Sequence, residues 1–282
     1  MQRDWNIKNI LEWTTRYFAD RGIQEPRLEA DLLLAHALQK DRVFLYANYD
    51  IPLNQEERDK YKQLIIRRVK QEPLAYITGQ KEFMSLLFKV NPQVLIPRPE
   101  TELLVETALE LAQTNSFTRI IDVGTGSGCI AVSLAFYLPE AEVVGIDISA
   151  PALAVARENA LNHGVEVEFR EGNLLQNCTG EEKYDLIVAN LPYVADADCA
   201  RLEAGVKDYE PRQALAAGED GMDLYRVLVP QSYELLKFGG YLLFEFSPEQ
   251  AEIAGQLTSG FNQVKIHKDL TGKNRLLQAR KE

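Results

Sequence analysis

Cysteine, histidine, methionine and tryptophan are scarce in this chain: three, three, three and two in 282 residues. The cysteines, Cys129, Cys178 and Cys199, form no C-x-x-C pair and no even framework. That argues against a disulfide scaffold and against structural zinc, and no metal is expected. No apolar stretch reaches the roughly 18–20 residues that a membrane span needs. The opening Met1-Gln2-Arg3-Asp4-Trp5 lacks the basic and then apolar character of a secretion signal. A reduced, cytoplasmic protein with no membrane partner is the expectation. Positive charge is also short. Residues 1–80 carry a net +1 and residues 81–282 a net −12. An acidic catalytic half disfavours direct binding of phosphate backbones, although a local basic patch would survive the average.

What is present is ordinary for a globular chain: 46% hydrophobic and 26% charged residues, enough length for about two domains. In the first 75 or so residues, Ile7, Ile10, Leu11, Thr14, Tyr17 and Phe18 recur at helical spacing. Pro26 suits the start of a second helix, with Leu28, Leu32, Ala35 and Leu38 on one stripe. Asn54 and Glu57 have the spacing of a capping box ahead of Tyr61, Leu64, Ile65 and Val69. A helical bundle without a catalytic constellation follows, either a stability appendage or a recognition module. Residues 82–90 and 93–96 read as a β-hairpin turning at Asn91-Pro92. Two prolines then stiffen Ile96-Pro97-Arg98-Pro99-Glu100-Thr101-Glu102, a candidate wall of a site at the start of a helix. From Arg119 strands and helices alternate, which predicts an α/β doubly wound sheet.

Two segments carry chemistry. The first is Asp122-x-Gly124-Thr125-Gly126-Ser127-Gly128, between a strand and a helix, with Asp147 closing the next strand. Glycines permit tight turning and close approach to a ligand, and a carboxylate at Asp147 suits the two hydroxyls of a ribose. A dinucleotide loop has G-x-G-x-x-G spacing with its pyrophosphate on the helix start. Here the glycines fall two apart and the acid Asp122 precedes them. A carboxylate beside a pyrophosphate costs Coulomb energy, whereas beside a cationic sulfonium it helps. S-adenosylmethionine fits that charge and NAD does not. Gly172-Asn173-Leu174, after the third strand, lies where an adenine edge and face would be held.

The second segment is Asn190-Leu191-Pro192-Tyr193, after the apolar run Tyr184–Ala189. An Asn at the carboxyl end of a buried parallel strand sits where open α/β sheets place ligands. Its amide oxygen accepts, and Pro192 keeps Leu191 extended so that the Leu191 carbonyl is available as a second acceptor. Two acceptors beside the flat face of Tyr193 suit a planar NH2 group, an amide or a base amine.

These residues resemble known motifs. Asp122 to Gly128 with Asp147 is similar to motif I and the ribose acid of class I S-adenosylmethionine-dependent methyltransferases. Asn190-Leu191-Pro192-Tyr193 resembles the Asn-Pro-Pro-Tyr motif of amino-group methyltransferases. Thr78-Gly79-x-x-Glu82-Phe83, Leu95 to Glu102 and Asp208-Tyr209-Glu210-Pro211-Arg212-x-Ala214-Leu215 resemble the HemK/PrmC family, the peptide chain release factor glutamine methyltransferases, over nearly the whole chain. The resemblance implies a seven-stranded Rossmann-like methyltransferase domain (99–282), a small all-helical N-terminal domain for substrate recognition (1–77) and a β-hairpin linker (78–98). It also implies methylation of the side-chain amide nitrogen of the Gln in a release factor's Gly-Gly-Gln motif. On that basis Asp122, Gly124, Thr125, Gly126, Ser127, Gly128, Asp147, Asn173, Leu174 and Asn190 are cofactor contacts. Asn190, Leu191, Pro192 and Tyr193 form the substrate clamp.

Leu191 departs from the usual Pro, at a cost in stiffness of roughly 0.4–1 kcal/mol. Leu174 stands where an aromatic is common, so an aliphatic contact replaces a stack. The rival readings are a DNA or RNA adenine-N6 or cytosine-N4 methyltransferase, which presents a flipped base amine to the same clamp, and an inactive cofactor-binding module. No coiled coil is seen, and a monomer is expected.

Overall fold

The computed structural model describes residues 5–178, 181 and 183–282. In chain order the elements are α1 (Ile7–Ala19), α2 (Pro26–Leu38), α3 (Arg42–Ala47), α4 (Gln55–Val69), α5 (Leu74–Thr78), β1 (Gln80–Phe83), β2 (Leu86–Lys89), α6 (Glu102–Ala112), β3 (Arg119–Val123), α7 (Cys129–Tyr137) and β4 (Glu142–Asp147). There follow α8 (Ala150–His163), β5 (Glu168–Glu171), β6 (Tyr184–Ala189), α9 (Ala204–Lys207), α10 (Asp223–Leu235), β7 (Leu236–Glu245), α11 (Ala251–Leu257), β8 (Asn262–Lys268) and β9 (Asn274–Arg280). They form two compact units, residues 1–79 with 204–209, and residues 80–203 with 210–282.

The first unit is helical. Asn6 caps α1 by accepting from the Asn9 N–H at 2.8 Å, and Ile7, Ile10, Leu11, Thr14 and Phe18 face inward. The capping box of α4 is complete: the Asn54 N–H donates to Glu57 Oε2 and the Glu57 N–H to Asn54 Oδ1, at 2.8 and 2.9 Å. In α2 the buried side chains are Ala30, Asp31, Leu33, Leu34 and Ala35. Leu28, Leu32 and Leu38 of the expected stripe are only partly covered. Leucines stand on most sides of this helix, so its apolar pattern does not select a face. The tie that does is Asp31, fully buried, which accepts from the Tyr46 hydroxyl of α3 and pairs with Arg27 of its own helix at 3.0 Å. Residues 204–209 belong here because the Tyr209 hydroxyl donates to the Lys70 carbonyl at 2.8 Å.

The second unit opens with the β1–β2 hairpin, whose register pairs Phe83 with Leu86. Its turn is Met84-Ser85, both left-handed at φ 51° and 58°, not Asn91-Pro92 as the sequence predicts. Such a turn ordinarily wants Asn or Gly. Here tertiary bonds hold it: the Met84 N–H donates to Glu102 Oε1 at 2.6 Å, and the Tyr137 hydroxyl donates to the Met84 carbonyl at 2.8 Å. Residues 93–96, expected as a strand, are irregular, with Val94 and Ile96 buried.

The main sheet has seven strands in the order β5-β4-β3-β6-β7-β9-β8, parallel through β7, with β9 antiparallel to both its neighbours. The central strands are buried along nearly their whole length and therefore read as continuous apolar runs. β8 is exposed along most of its length and carries lysines, as suits an edge. The chain winds outward from β3 to β4 and β5, then returns to lay β6 on the other side of β3. That reversal makes the carboxyl ends of β3 and β6 the switch point where such sheets bind ligands. Among the described residues no helix is long and apolar enough to cross a membrane.

Candidate active site

A cavity of about 730 Å³ opens at these strand ends, within the range of small-molecule sites. Gly124, Thr125, Gly126, Ser127, Asp147, Asn173, Leu174, Asn190, Leu191 and Pro192 line it, as do Arg98, Thr101 and Arg212. Asp122, Gly128 and Tyr193 of the expected site do not.

The glycine loop folds back on β4. The N–H groups of Gly124 and Thr125 both donate to the Ile146 carbonyl, at 2.8 and 2.9 Å. The Gly126 N–H donates to Asp147 Oδ2 at 2.8 Å, and the Ser149 N–H to Asp147 Oδ1 at 2.8 Å. Gly124 takes φ +76°, and a Cβ there would lie 2.6 Å from Leu191 Cδ2. Leu191, 4% exposed, thus packs onto the loop, filling space against Gly124 that its departure from the usual Pro puts to use.

Asp122 lies under the loop and does not line the cavity. It is fully buried, accepting from the Thr125 hydroxyl at 2.6 Å and the Ala131 N–H at 3.2 Å. Burial pushes its carboxyl up to about 7, so at neutral pH it carries only part of a charge. Its role is to brace the loop against α7. Gly128 lies on the far side, where a Cβ would come within 3.0 Å of Ala156 Cβ. Asn159 holds the loop from outside: its Nδ2 reaches the carbonyls of Ser127 and Lys89, at 2.9 and 3.0 Å, and its Oδ1 takes the Lys89 N–H at 2.7 Å. Cys129 faces the cavity as a neutral thiol, pushed up to about 12 by burial.

At the second segment the Asn190 Nδ2 donates to Thr101 Oγ1 at 2.9 Å, and the Thr101 hydroxyl donates to Glu245 Oε2 at 2.7 Å. The Tyr193 hydroxyl donates to Glu245 Oε1 at 3.1 Å. The Leu191 N–H donates to the Tyr225 hydroxyl at 3.0 Å, which in turn donates to the Glu245 carbonyl at 2.6 Å. Burial raises the Tyr193 phenol far above its usual range, with the Glu245 charge adding to the shift, so it stays protonated as a donor. Gln250 Nε2 ties the Tyr193 carbonyl to that of Asp220, both at 2.8 Å. A Cβ at Gly221 would lie 2.1 Å from the Tyr193 oxygen, so the chain passes too closely for any other residue.

One wall of the cavity is made by two of the three segments that carry the family resemblance, Leu95 to Glu102 and Asp208 to Leu215. Glu210, 5% exposed, pairs with Arg98 and accepts the Ile96 N–H at 3.3 Å. Beyond it Val194 and Ala216 form a parallel bridge. Sequence reasoning named Thr101 only as part of the stiff segment read as a wall, and did not single out Tyr225, Glu245, Gln250 or Asn159. The one local signal was Glu245 itself, a carboxylate inside the apolar run Tyr241 to Phe246.

Comparison with known proteins gives the family. Residues 9–79 match the PrmC N-terminal domain, and residues 114–280 a methyltransferase domain. A release factor glutamine methyltransferase of Geobacter sulfurreducens is 45% identical over 98% of this chain and 97% of its own. One from Koribacter versatilis is 39% identical over 98% of each. The chain belongs to the release factor glutamine methyltransferase family. The fold of this family member is also seen in a Thermus thermophilus 16S rRNA methyltransferase solved with S-adenosylmethionine and guanosine. That structure has a TM-score of 0.53 at 19% identity, covering 72% of this chain and 50% of that one.

The cofactor of a release factor glutamine methyltransferase is S-adenosylmethionine, and the residues fit it. Each oxygen of Asp147 accepts one backbone N–H, which leaves lone pairs for a ribose diol. Leu174, 8% exposed at φ 51°, presents an apolar surface on the cavity wall. When bound, the cofactor supplies a methyl group already activated by its sulfonium.

Proposed function

We propose that this chain methylates the side-chain amide nitrogen of the glutamine in the Gly-Gly-Gln motif of peptide chain release factors, with Asn190 to Tyr193 holding that amide. The observation that carries the reading is the commitment of the Asn190 NH2 to Thr101. Its Oδ1 is left as the acceptor, at the edge of a cavity whose other wall is the glycine loop. An amide nitrogen is a poor nucleophile because its lone pair is delocalised into the carbonyl. Accepting its two N–H groups, at Asn190 Oδ1 and the Leu191 carbonyl, localises electron density on nitrogen and aims it. Positioning supplies much of the rate. Stabilisation of positive charge developing on nitrogen supplies the rest.

Among the described residues no imidazole or ammonium group lines the cavity, and none is needed. The nitrogen is strongly acidic once methylated and loses its proton afterwards. Tyr193, engaged with Glu245, packs behind the clamp and supports the amide plane from outside the cavity lining. Asp147, Asn173 and Leu174 serve the nucleoside, while Asp122 and Gly128 shape the loop. The helical unit serves recognition of the release factor. The enzyme works as a cytoplasmic monomer and makes no direct contact with nucleic acid.

The test is Asn190→Ala in single-turnover transfer to a bacterial release factor. Turnover falls by at least about a thousandfold, while S-adenosylmethionine binding, measured by calorimetry, stays within a few-fold. Near-normal turnover in that variant contradicts the clamp.

A further inference from the structure

We propose that Glu245 is the positioning residue of this site, the one group that sets both the place and the polarity of the acceptor clamp. The inference rests on the reading of Asn190 to Tyr193 as that clamp. Glu245 ends β7, is 2% exposed, and lies between Phe244 and Phe246, both fully buried. A carboxylate there is costly to bury unless its oxygens are satisfied. Among the described residues its side-chain hydrogen-bond partners are hydroxyls, Thr101 on one oxygen and Tyr193 on the other, not a guanidinium or an ammonium. Its backbone carbonyl takes the Tyr225 hydroxyl that receives the Leu191 N–H. The side chain of Asn190, the backbone of Leu191 and the ring of Tyr193 therefore all converge on one residue, at most one hydroxyl removed.

The direction of the bonds matters as much as the contact. An ionised carboxylate only accepts, so the Thr101 hydroxyl must point its proton at Glu245. Asn190 then meets lone pairs on Thr101, and only its NH2 can bind them. The amide oxygen is thereby turned to the other side, free for a substrate N–H. A carboxyl proton or a side-chain amide at position 245 offers a donor to Thr101. The Thr101 proton can then swing to Asn190 Oδ1 and take away the acceptor that the reaction uses. The groups facing Glu245 from the surrounding elements are Arg275 on β9, which favours the charge, Glu100 ahead of α6, which opposes it, and the neutral phenols of Tyr193 and Tyr225. Burial is the largest influence and raises the Glu245 carboxyl above its ordinary range. The clamp accordingly loses its polarity on the acid side at a higher pH than an exposed glutamate would give.

The experiment compares the full chain with E245Q, T101V, T101S and the E245Q/T101V double variant, using S-adenosylmethionine and a bacterial release factor. E245Q keeps the shape of the side chain and T101V that of Thr101. Each lowers kcat by about tenfold or more, with KM for the factor and cofactor affinity changed by no more than about threefold. T101S, which keeps the hydroxyl, recovers most of the loss. The double variant is no slower than the slower single by more than about threefold, because both break one relay. The acid limb of the wild-type kcat profile disappears in E245Q, whereas simple loss of folded protein lowers the whole profile without reshaping it. Wild-type kcat in T101V or E245Q, or fully multiplicative losses, overturns the proposal. If E245Q does not fold, T101V against T101S decides it. If the wild-type chain transfers no methyl to the factor, the substrate assignment fails instead.

Discussion

At the scale of single residues, Leu191 shows how a departure from a familiar motif is absorbed. A proline at that position has no N–H; leucine brings one into a buried setting, where an unpaired donor is costly. The Tyr225 hydroxyl meets it at 3.0 Å, and the leucine side chain fills the space over Gly124. Tyr225→Phe removes that acceptor and should destabilise the chain by about 1–3 kcal/mol, the cost of an orphaned buried donor. Urea unfolding measures it, and a change below about 0.5 kcal/mol would mean the Leu191 N–H is satisfied elsewhere. Asn190, Pro192 and the glycine loop were legible because each sits at a strand end with a characteristic neighbour. Glu245 was not, and Thr101 was legible only as part of a stiff wall segment, without its role. They meet across 144 positions of sequence, and neither has a local pattern that points to the other.

At the scale of elements, legibility followed burial. β3 and β6 are covered on both faces and announce themselves as apolar runs bounded by a loop glycine and Asn190. The hairpin turn gave no such signal, because Met84-Ser85 lacks turn chemistry and is held by Glu102 and Tyr137. Asn91-Pro92 looked like the turn but makes a local bend instead, with the Gln93 N–H on Asn91 Oδ1 at 2.9 Å. Left-handed backbone costs a residue with a Cβ about 1–2 kcal/mol. Ser85 is exposed at φ 58°, with its side chain free of packing duties. Ser85→Gly should therefore stabilise the chain by roughly 0.5–1 kcal/mol after glycine's greater unfolded-state entropy is set against the relief. A lower melting temperature in that variant would show that the turn is not strained.

For the molecule as a whole, charge and pH are the levers. The net −12 of residues 81–282 lowers the attraction of the catalytic half for phosphate backbones and suits a protein substrate. Within it Asp122 is fully buried, its carboxyl raised from 3.8 to about 7. The folded state therefore keeps this proton up to about pH 7, whereas the unfolded chain releases it near 3.8. The stability it contributes is complete below the unfolded value and is lost as pH rises to about 7, at most about 4 kcal/mol at 1.36 kcal/mol per unit. Asp122→Asn keeps an oxygen for Thr125 and Ala131 and has no charge to bury. Its melting temperature relative to wild type should climb between about pH 4 and 7 and then level off. A constant offset across that range would place the wild-type proton elsewhere.

The account stands most directly on what accepts the methyl group. Labelled methyl from S-adenosylmethionine should pass to a bacterial release factor and be found by mass spectrometry on the side-chain nitrogen of its Gly-Gly-Gln glutamine. The same factor with that glutamine changed to alanine, duplex DNA and ribosomal RNA should stay unlabelled. Label on nucleic acid, or on the factor after the glutamine is removed, would contradict the account.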